Sequence, residues 1–92
     1  MRLSVIIPSY NQIKFIEATM KNIVTIKKIC KENNAELEVI VCDNCSISEV
    51  QAIFERYKNV IDVLKIESDK GQYDAINKGL SCVTGKYWTW LN

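Results

Sequence analysis

Leu37-Glu38-Val39-Ile40-Val41-Cys42, with Asp43 at its C-terminal edge, is the stretch on which the fold turns. It is short, β-branched and nearly continuous in apolar residues at its end, as strands are when a parallel sheet is covered on both faces. Upstream, Leu3-Ser4-Val5-Ile6-Ile7 reads the same way. Pro8 closes that run, and because proline cannot donate to a ladder, the strand is expected to end there. After a loop, Ser9-Tyr10-Asn11-Gln12, the residues Ile13, Ile16, Met20, Ile23, Val24 and Cys30 recur at helical spacing opposite Lys14, Glu17, Lys21 and Lys28. This predicts a long amphipathic helix from Ile13 to about Asn33.

Downstream, Ser46-Ile47-Ser48-Glu49 has the spacing of a capping box, and Val50, Ile53, Phe54 and Tyr57 follow at i, i+3, i+4, i+7. A second helix with a defined start is expected. Val60 to Ile66 alternates apolar positions with Asp62 and Lys65 as a third strand, near an edge. Tyr73 to Leu80 reads as a short helix closed by the turn around Gly79 or Gly85, and Tyr87 to Leu91 as a fourth strand. The order β-α-β-α-β-α-β predicts an α/β, Rossmann-like fold: a mostly parallel sheet with flanking helices and right-handed crossovers. In such sheets ligands bind outside the carboxyl ends of the strands, where strand order reverses. The informative loops are therefore Pro8 to Gln12, Asp43 to Ser46 and Ser68 to Asp74.

Composition narrows the function. Ninety-two residues make one domain at most, and 48% apolar with 25% charged residues describes a packed chain. Twelve basic against eleven acidic side chains leave a net charge of +1, so no global field marks nucleic acid as a partner. The absence of histidine excludes histidine acid/base catalysis, a catalytic triad and His-containing zinc sites, leaving carboxylates for any proton chemistry. No apolar run approaches the roughly 18–20 residues of a membrane span, which makes a cytoplasmic chain the default. The last residues, Lys86-Tyr87-Trp88-Thr89-Trp90-Leu91-Asn92, lack the polar taper of a free terminus. The chain is thus expected to stop inside a larger domain, leaving an apolar sheet end through which copies could self-associate.

Two chemistries compete at the strand ends. Cys42-Asp43-Asn44-Cys45 is a Cys-x-x-Cys pair between a strand and a helix, the placement of a thioredoxin-like redox site. Against it, Cys42 lies within the apolar strand and the helix begins only after Ser46, which suits small buried thiols better. Structural zinc would need Cys30 and Cys82, whose spacing does not pair them. There is no G-x-G-x-x-G and no Walker loop. Instead the first strand end offers Tyr10 and Asn11, the second Asp43, and the third Asp69, Lys70, Gly71 and Asp74. A stacking ring, a carboxylate for a base imino hydrogen and a lysine for phosphate suit a nucleotide.

Ser4-Val5-Ile6-Ile7-Pro8-Ser9-Tyr10-Asn11 resembles the opening strand and Pro-Ser/Thr-Tyr-Asn loop of the family 2 glycosyltransferases, enzymes of the GT-A fold that take sugars from nucleotide donors. Glu38 to Asp43, followed by Asn44-Cys45-Ser46, is similar to the family's strand ending in an aspartate and a short turn. Asp69 to Gly79 matches the block D-x-G-x-Y-D-A-x-N-x-G, and Gly85 to Asn92 the strand that leads into the family's D-x-D motif. Cys45 departs from the small Gly or Ala common at its position, and the chain ends before the D-x-D aspartates would begin.

The resemblance covers residues 1–92 as a partial domain, the N-terminal, nucleotide-binding half of a GT-A glycosyltransferase. It implies inverting transfer of a sugar from a nucleotide donor, UDP-linked, to a hydroxyl of a glycan or lipid-linked acceptor in polysaccharide assembly, at or near the cytoplasmic face of a membrane. Pro8, Tyr10 and Asn11 would shape the base and ribose pocket, Asp43 would recognise the base, and Lys70 and Gly71 would lie near the donor. Asp74 would contact the nucleotide or cap its helix. The divalent cation, Mn²⁺ or Mg²⁺, and the general base would be held by residues beyond 92, so neither a catalytic residue nor a metal ligand is expected within the chain. Alone, it would bind nucleotide without transferring sugar. The alternative is a truncated remnant acting only through nucleotide or protein contacts.

Overall fold

The computed structural model describes residues 1–91; Asn92, the last residue of the segment likened to the D-x-D strand, lies outside them. In chain order the elements are β1 (Arg2–Ser9), α1 (Ile13–Glu32), β2 (Glu36–Asp43), α2 (Ser48–Arg56), β3 (Val63–Ile66), α3 (Gln72–Leu80) and β4 (Tyr87–Trp90). The strands form one sheet in the order β3-β2-β1-β4, every neighbouring pair parallel. This is the α/β, Rossmann-like arrangement expected of the N-terminal part of a GT-A domain.

Alternation along the strands divides the core into two layers. Val5, Ile7, Val39 and Val41 pack on Ile16, Met20 and Ile23 of α1 and on Val50, Ile53 and Phe54 of α2. From the opposite face, Ile6, Ile40 and Cys42 meet Ala75 and Ile76 of α3. Both faces of β2 are therefore covered, which is why its sequence lacks the polar alternation of a half-exposed strand. Each fully buried Ile, Val or Phe contributes about 1.5–3 kcal/mol relative to exposure. Gly79 sets how closely α3 approaches the sheet: a Cβ there would stand 2.6 Å from Ile6 Cγ2. It is a contact point inside the helix, and not the terminator that its residue type suggested.

Other expectations shift for identifiable reasons. β1 runs through Pro8, which is paired in register with Cys42. Ser9 O accepts from Asn44 N, so Ser9 faces β2 and Pro8, by alternation, faces the β4 side. There the pairing with β4 has already ended at Ile6, and no ladder bond is lost. In α1 the buried stripe is Ile16, Thr19, Met20 and Ile23, while Ile13 and Val24 are exposed; position on the stripe, and not polarity, selects Thr19. β3 is shorter than expected because the chain ahead of it turns, with Val60 N donating to Tyr57 O. Asp62, assigned to that strand, instead accepts from Val39 N and Lys27 Nζ through its carboxylate.

At the amino end of the sheet a carboxylate is enclosed. Glu38, only 4% exposed, accepts from Ser4 Oγ at 2.7 Å, from Thr84 N and Oγ1 at 2.9 and 2.8 Å, and from Arg2 Nη2 at 3.2 Å. Burial alone would push its carboxyl up, but these hydrogen bonds outweigh it and hold the group at about 2. Gly85 closes the network from the chain entering β4, its N–H donating to Ser4 Oγ at 3.0 Å. At the same edge β4 is outermost, with Tyr87, Trp88 and Trp90 exposed. A groove of about 300 Å³ runs between it and α1, lined by apolar residues including Leu3, Ile23, Ile26 and Tyr87. Among the described residues no helix is long and apolar enough to cross a membrane.

Candidate functional site

The loops leaving β1, β2 and β3 meet over the carboxyl end of the sheet, and hydrogen bonds tie each to the next. Asn11 adopts a left-handed conformation (φ 51°), which asparagine tolerates better than most residues. Its N–H donates to Ser46 Oγ at 2.8 Å and its Oδ1 accepts from Ile47 N at 2.8 Å, so the first loop is fastened to the start of α2. Ser46 in turn donates through Oγ to Asp43 Oδ1 at 2.6 Å and through N to Oδ2 at 2.8 Å. Gln51 Nε2 of α2 adds a further bond to Oδ2 at 2.7 Å. The capping box is consequently not formed. Ile47 is the N-cap, Ser46 is engaged with Asp43, and Glu49 accepts from Ser48.

The second clasp joins β2 to the loop before α3. Asn44 N donates to Ser9 O at 2.9 Å, and Asn44 Oδ1 accepts from Asp69 N at 3.0 Å. Asp69 Oδ1 then accepts from Gly71 N at 2.8 Å. Gly71, the N-cap of α3, has φ 120° and ψ −176°, a conformation open essentially to glycine alone. Asp74 accepts from Lys70 N at 2.9 Å, and Lys78 Nζ donates to Ser68 O at 2.6 Å, so α3 holds its own entry loop.

Between these clasps lies a cleft of about 320 Å³. Pro8, Ser9, Tyr10 and Gln12 line it from the first loop, Asn44 from the second, and Asp69, Gly71, Gln72 and Ala75 from the third loop and α3. Of the residues singled out in the sequence, Pro8, Tyr10, Asp69 and Gly71 line the cleft. Asn11 and Asp74 stand behind it as fasteners of its loops, and Lys70 is exposed on its rim loop. Asp43 is 1% exposed and lies beneath the turn, its carboxylate occupied by Ser46 and Gln51. Asn44, Gln12 and Gln72 were not singled out. Asn44 had a signal in the alternation of β2: Asp43 shares the face of Val39 and Val41, so the next residue is the first to turn towards the opening.

Tyr10 is 58% exposed and lines the cleft, and Asn44, Asp69, Gln12 and Gln72 line it from the adjoining segments. Such a lining can stack a planar ring and read its polar edge. Among the described residues no three His, Cys, Asp or Glu side chains converge as a cation site, so the carboxylates present do not fit a metal centre. Nor does the Cys-x-x-Cys pair have the character of a redox site. Cys42 is buried beside Gly79, and burial, with the neighbouring Cys82 thiol, pushes its own thiol up to about 11, whereas a reactive cysteine is acidified.

A four-stranded parallel α/β sheet with a cleft over its strand ends, and no glycine-rich phosphate loop, is the N-terminal part of a GT-A domain. The chain belongs to Glycosyl transferase family 2, the family matched by residues 4–92. It is 30% identical over 93 residues to TuaG of Bacillus subtilis (strain 168), whose name provisionally assigns it to teichuronic acid biosynthesis as a glycosyltransferase; the match covers 98% of this chain and 34% of TuaG. It is 32% identical over 75 residues to TarS of Staphylococcus aureus, a poly(ribitol-phosphate) beta-N-acetylglucosaminyltransferase, covering 77% of this chain and 12% of TarS. The uncharacterized glycosyltransferase MG060 of Mycoplasma genitalium is 34% identical over 67 residues, covering 73% of this chain and 21% of that protein. The chain thus spans about a third of TuaG's length and less of the others.

Proposed function

We propose that this chain is the donor-binding part of an inverting glycosyltransferase that moves a sugar from a UDP-sugar to a hydroxyl of a glycan or lipid-linked acceptor in cell-surface polysaccharide assembly, working on the cytoplasmic side. The observation that carries the reading is the cleft over the strand ends, whose lining brings together Tyr10, Asn44 and Asp69 from three different loops. Tyr10 stacks on the base, and Pro8 lines the same pocket. Gly71 lets backbone come close to the donor, and Lys70 lies on the rim loop within reach of phosphate. Asn11, Asp43 and Asp74 contribute by holding the loops in place. The cation used by family 2 enzymes and the base that deprotonates the acceptor belong to the remainder of the enzyme, in keeping with a chain that spans a third of its relative.

The test is calorimetric titration of UDP and GDP into the 92-residue chain, with turnover of UDP-sugars followed in parallel. UDP is expected to bind more tightly than GDP, with no sugar release. Failure to bind any nucleotide diphosphate, or turnover by the isolated chain, overturns the reading.

A further inference from the structure

Asn44 is the polar side chain of the β2 loop that lines the cleft, and its orientation is fixed by chemistry. Its Oδ1 accepts from Asp69 N at 3.0 Å, and an amide NH₂ in that place could not accept. The Nδ2 hydrogens take no acceptor among the described residues. On the same wall Ser9, whose carbonyl receives Asn44 N, is only 7% exposed. Its Oγ is the one buried side-chain polar atom among the described residues without a hydrogen-bond partner. That hydroxyl is shut off from the opening, so it is Asn44 that offers an unsatisfied donor to what enters the cleft. Nearby, the carboxylate of Asp43 is saturated by Ser46 and Gln51 and does not line the cleft.

We propose that Asn44, and not Asp43, determines which base the cleft accepts, and that it does so as a hydrogen-bond donor reading an acceptor atom on a pyrimidine. The inference rests on the nucleotide reading of the cleft given above. A carboxylate at this position would accept the imino hydrogen of uracil and repel the N3 lone pair of cytosine. An amide whose oxygen is already held by Asp69 presents N–H instead, and both pyrimidines carry an acceptor it can reach, a carbonyl oxygen or the cytosine N3. The cleft therefore admits cytidine as well as uridine diphosphates.

Asn44→Asp separates this role from a structural one, because a carboxylate oxygen still accepts from Asp69 N while the donor is lost. Titrations of UDP and CDP into the chain and into Asn44→Asp, with folding checked by circular dichroism, are expected to give affinities within about tenfold for the unsubstituted chain. In Asn44→Asp the UDP:CDP ratio should rise by tenfold or more. Asn44→Ala should weaken both nucleotides without moving the ratio. A chain that already prefers UDP over CDP by more than tenfold, or an Asn44→Asp variant with an unchanged ratio, overturns the proposal. Absence of binding by UDP, CDP and GDP alike instead overturns the nucleotide reading itself.

Discussion

The two ends of β2 each bury a carboxylate, and the contrast between them separates what holds the fold from what shapes its opening. Glu38, at the amino end, looks towards α3 and is bonded by groups from β1 and from the turn into β4, residues 34 and 46 positions away. Asp43, at the carboxyl end, looks towards α2 and is bonded by Ser46 and Gln51, three and eight positions away. One carboxylate staples distant chain segments and the other shapes a local turn. Only the local one stands next to the cleft. A long-range staple cannot change without loss of the sheet edge, whereas a turn held by its own neighbours can present different residues above an unchanged sheet.

Removing the staple should have the largest effect. Glu38→Ala leaves Ser4 Oγ and Thr84 N without their acceptor and Arg2 without its buried partner, and breaking such an arrangement costs about 3–5 kcal/mol. Urea denaturation should show that loss. Titration of UDP under conditions where the variant is still folded should show unchanged affinity. A loss below about 1 kcal/mol would mean that the network does not fasten β4.

Acid provides a reversible version of the same cut. The Glu38 carboxyl is held at about 2 in the folded chain against 4.5 for an unperturbed glutamate, so its contribution is complete above pH 4.5 and lost as pH falls towards 2. The shift corresponds to about 3 kcal/mol across that window. Denaturation midpoints measured from pH 5 to pH 2.5 should fall for the unsubstituted chain and much less for Glu38→Gln. Parallel curves would assign the acid sensitivity to other carboxylates.

Asp43→Asn tests the local carboxylate. An amide replaces one acceptor oxygen: in place of Oδ2 its N–H groups face both Ser46 N and Gln51 Nε2, and in place of Oδ1 it forfeits the bond from Ser46 Oγ, at an expected cost of about 1–3 kcal/mol. Because Ser46 also receives Asn11 N, the disturbance passes to the first loop. UDP affinity should therefore fall several-fold even where the variant is fully folded, which Glu38→Ala does not produce. Equal affinity in Asp43→Asn and the unsubstituted chain would place the turn outside the cleft's support.

Much of this was legible in the sequence because periodicity reports burial. The apolar runs of β1 and β2 and the stripes of α1 and α2 placed the sheet, its parallel sense and all three cleft loops. What escaped depends on tertiary neighbours. Pro8 continues β1 because β4 happens to stop short beside it, and Gly79 lies inside α3 because Ile6 is pressed against it. Ser46 forgoes its capping box because a buried Asp43 takes its hydroxyl. The same competition hid the lining role of Asn44: residue type favoured the aspartate, while strand alternation puts that carboxylate on the covered face.

Tyr10 should show the smallest structural effect and the cleanest functional one. More than half exposed, it supports little of the core, so Tyr10→Ala should move the urea midpoint by no more than about 0.5 kcal/mol. A base stacked on an aromatic ring gains about 1–3 kcal/mol, so UDP should bind roughly tenfold or more weakly, and Tyr10→Phe should restore binding by keeping the ring. If Tyr10→Ala destabilised the chain as much as Asp43→Asn, the first loop would belong to the frame and not to the opening. If it left UDP affinity unchanged, the ring would not be the surface on which the base lies, and the distinction between the two ends of β2 would rest on Asn44 alone.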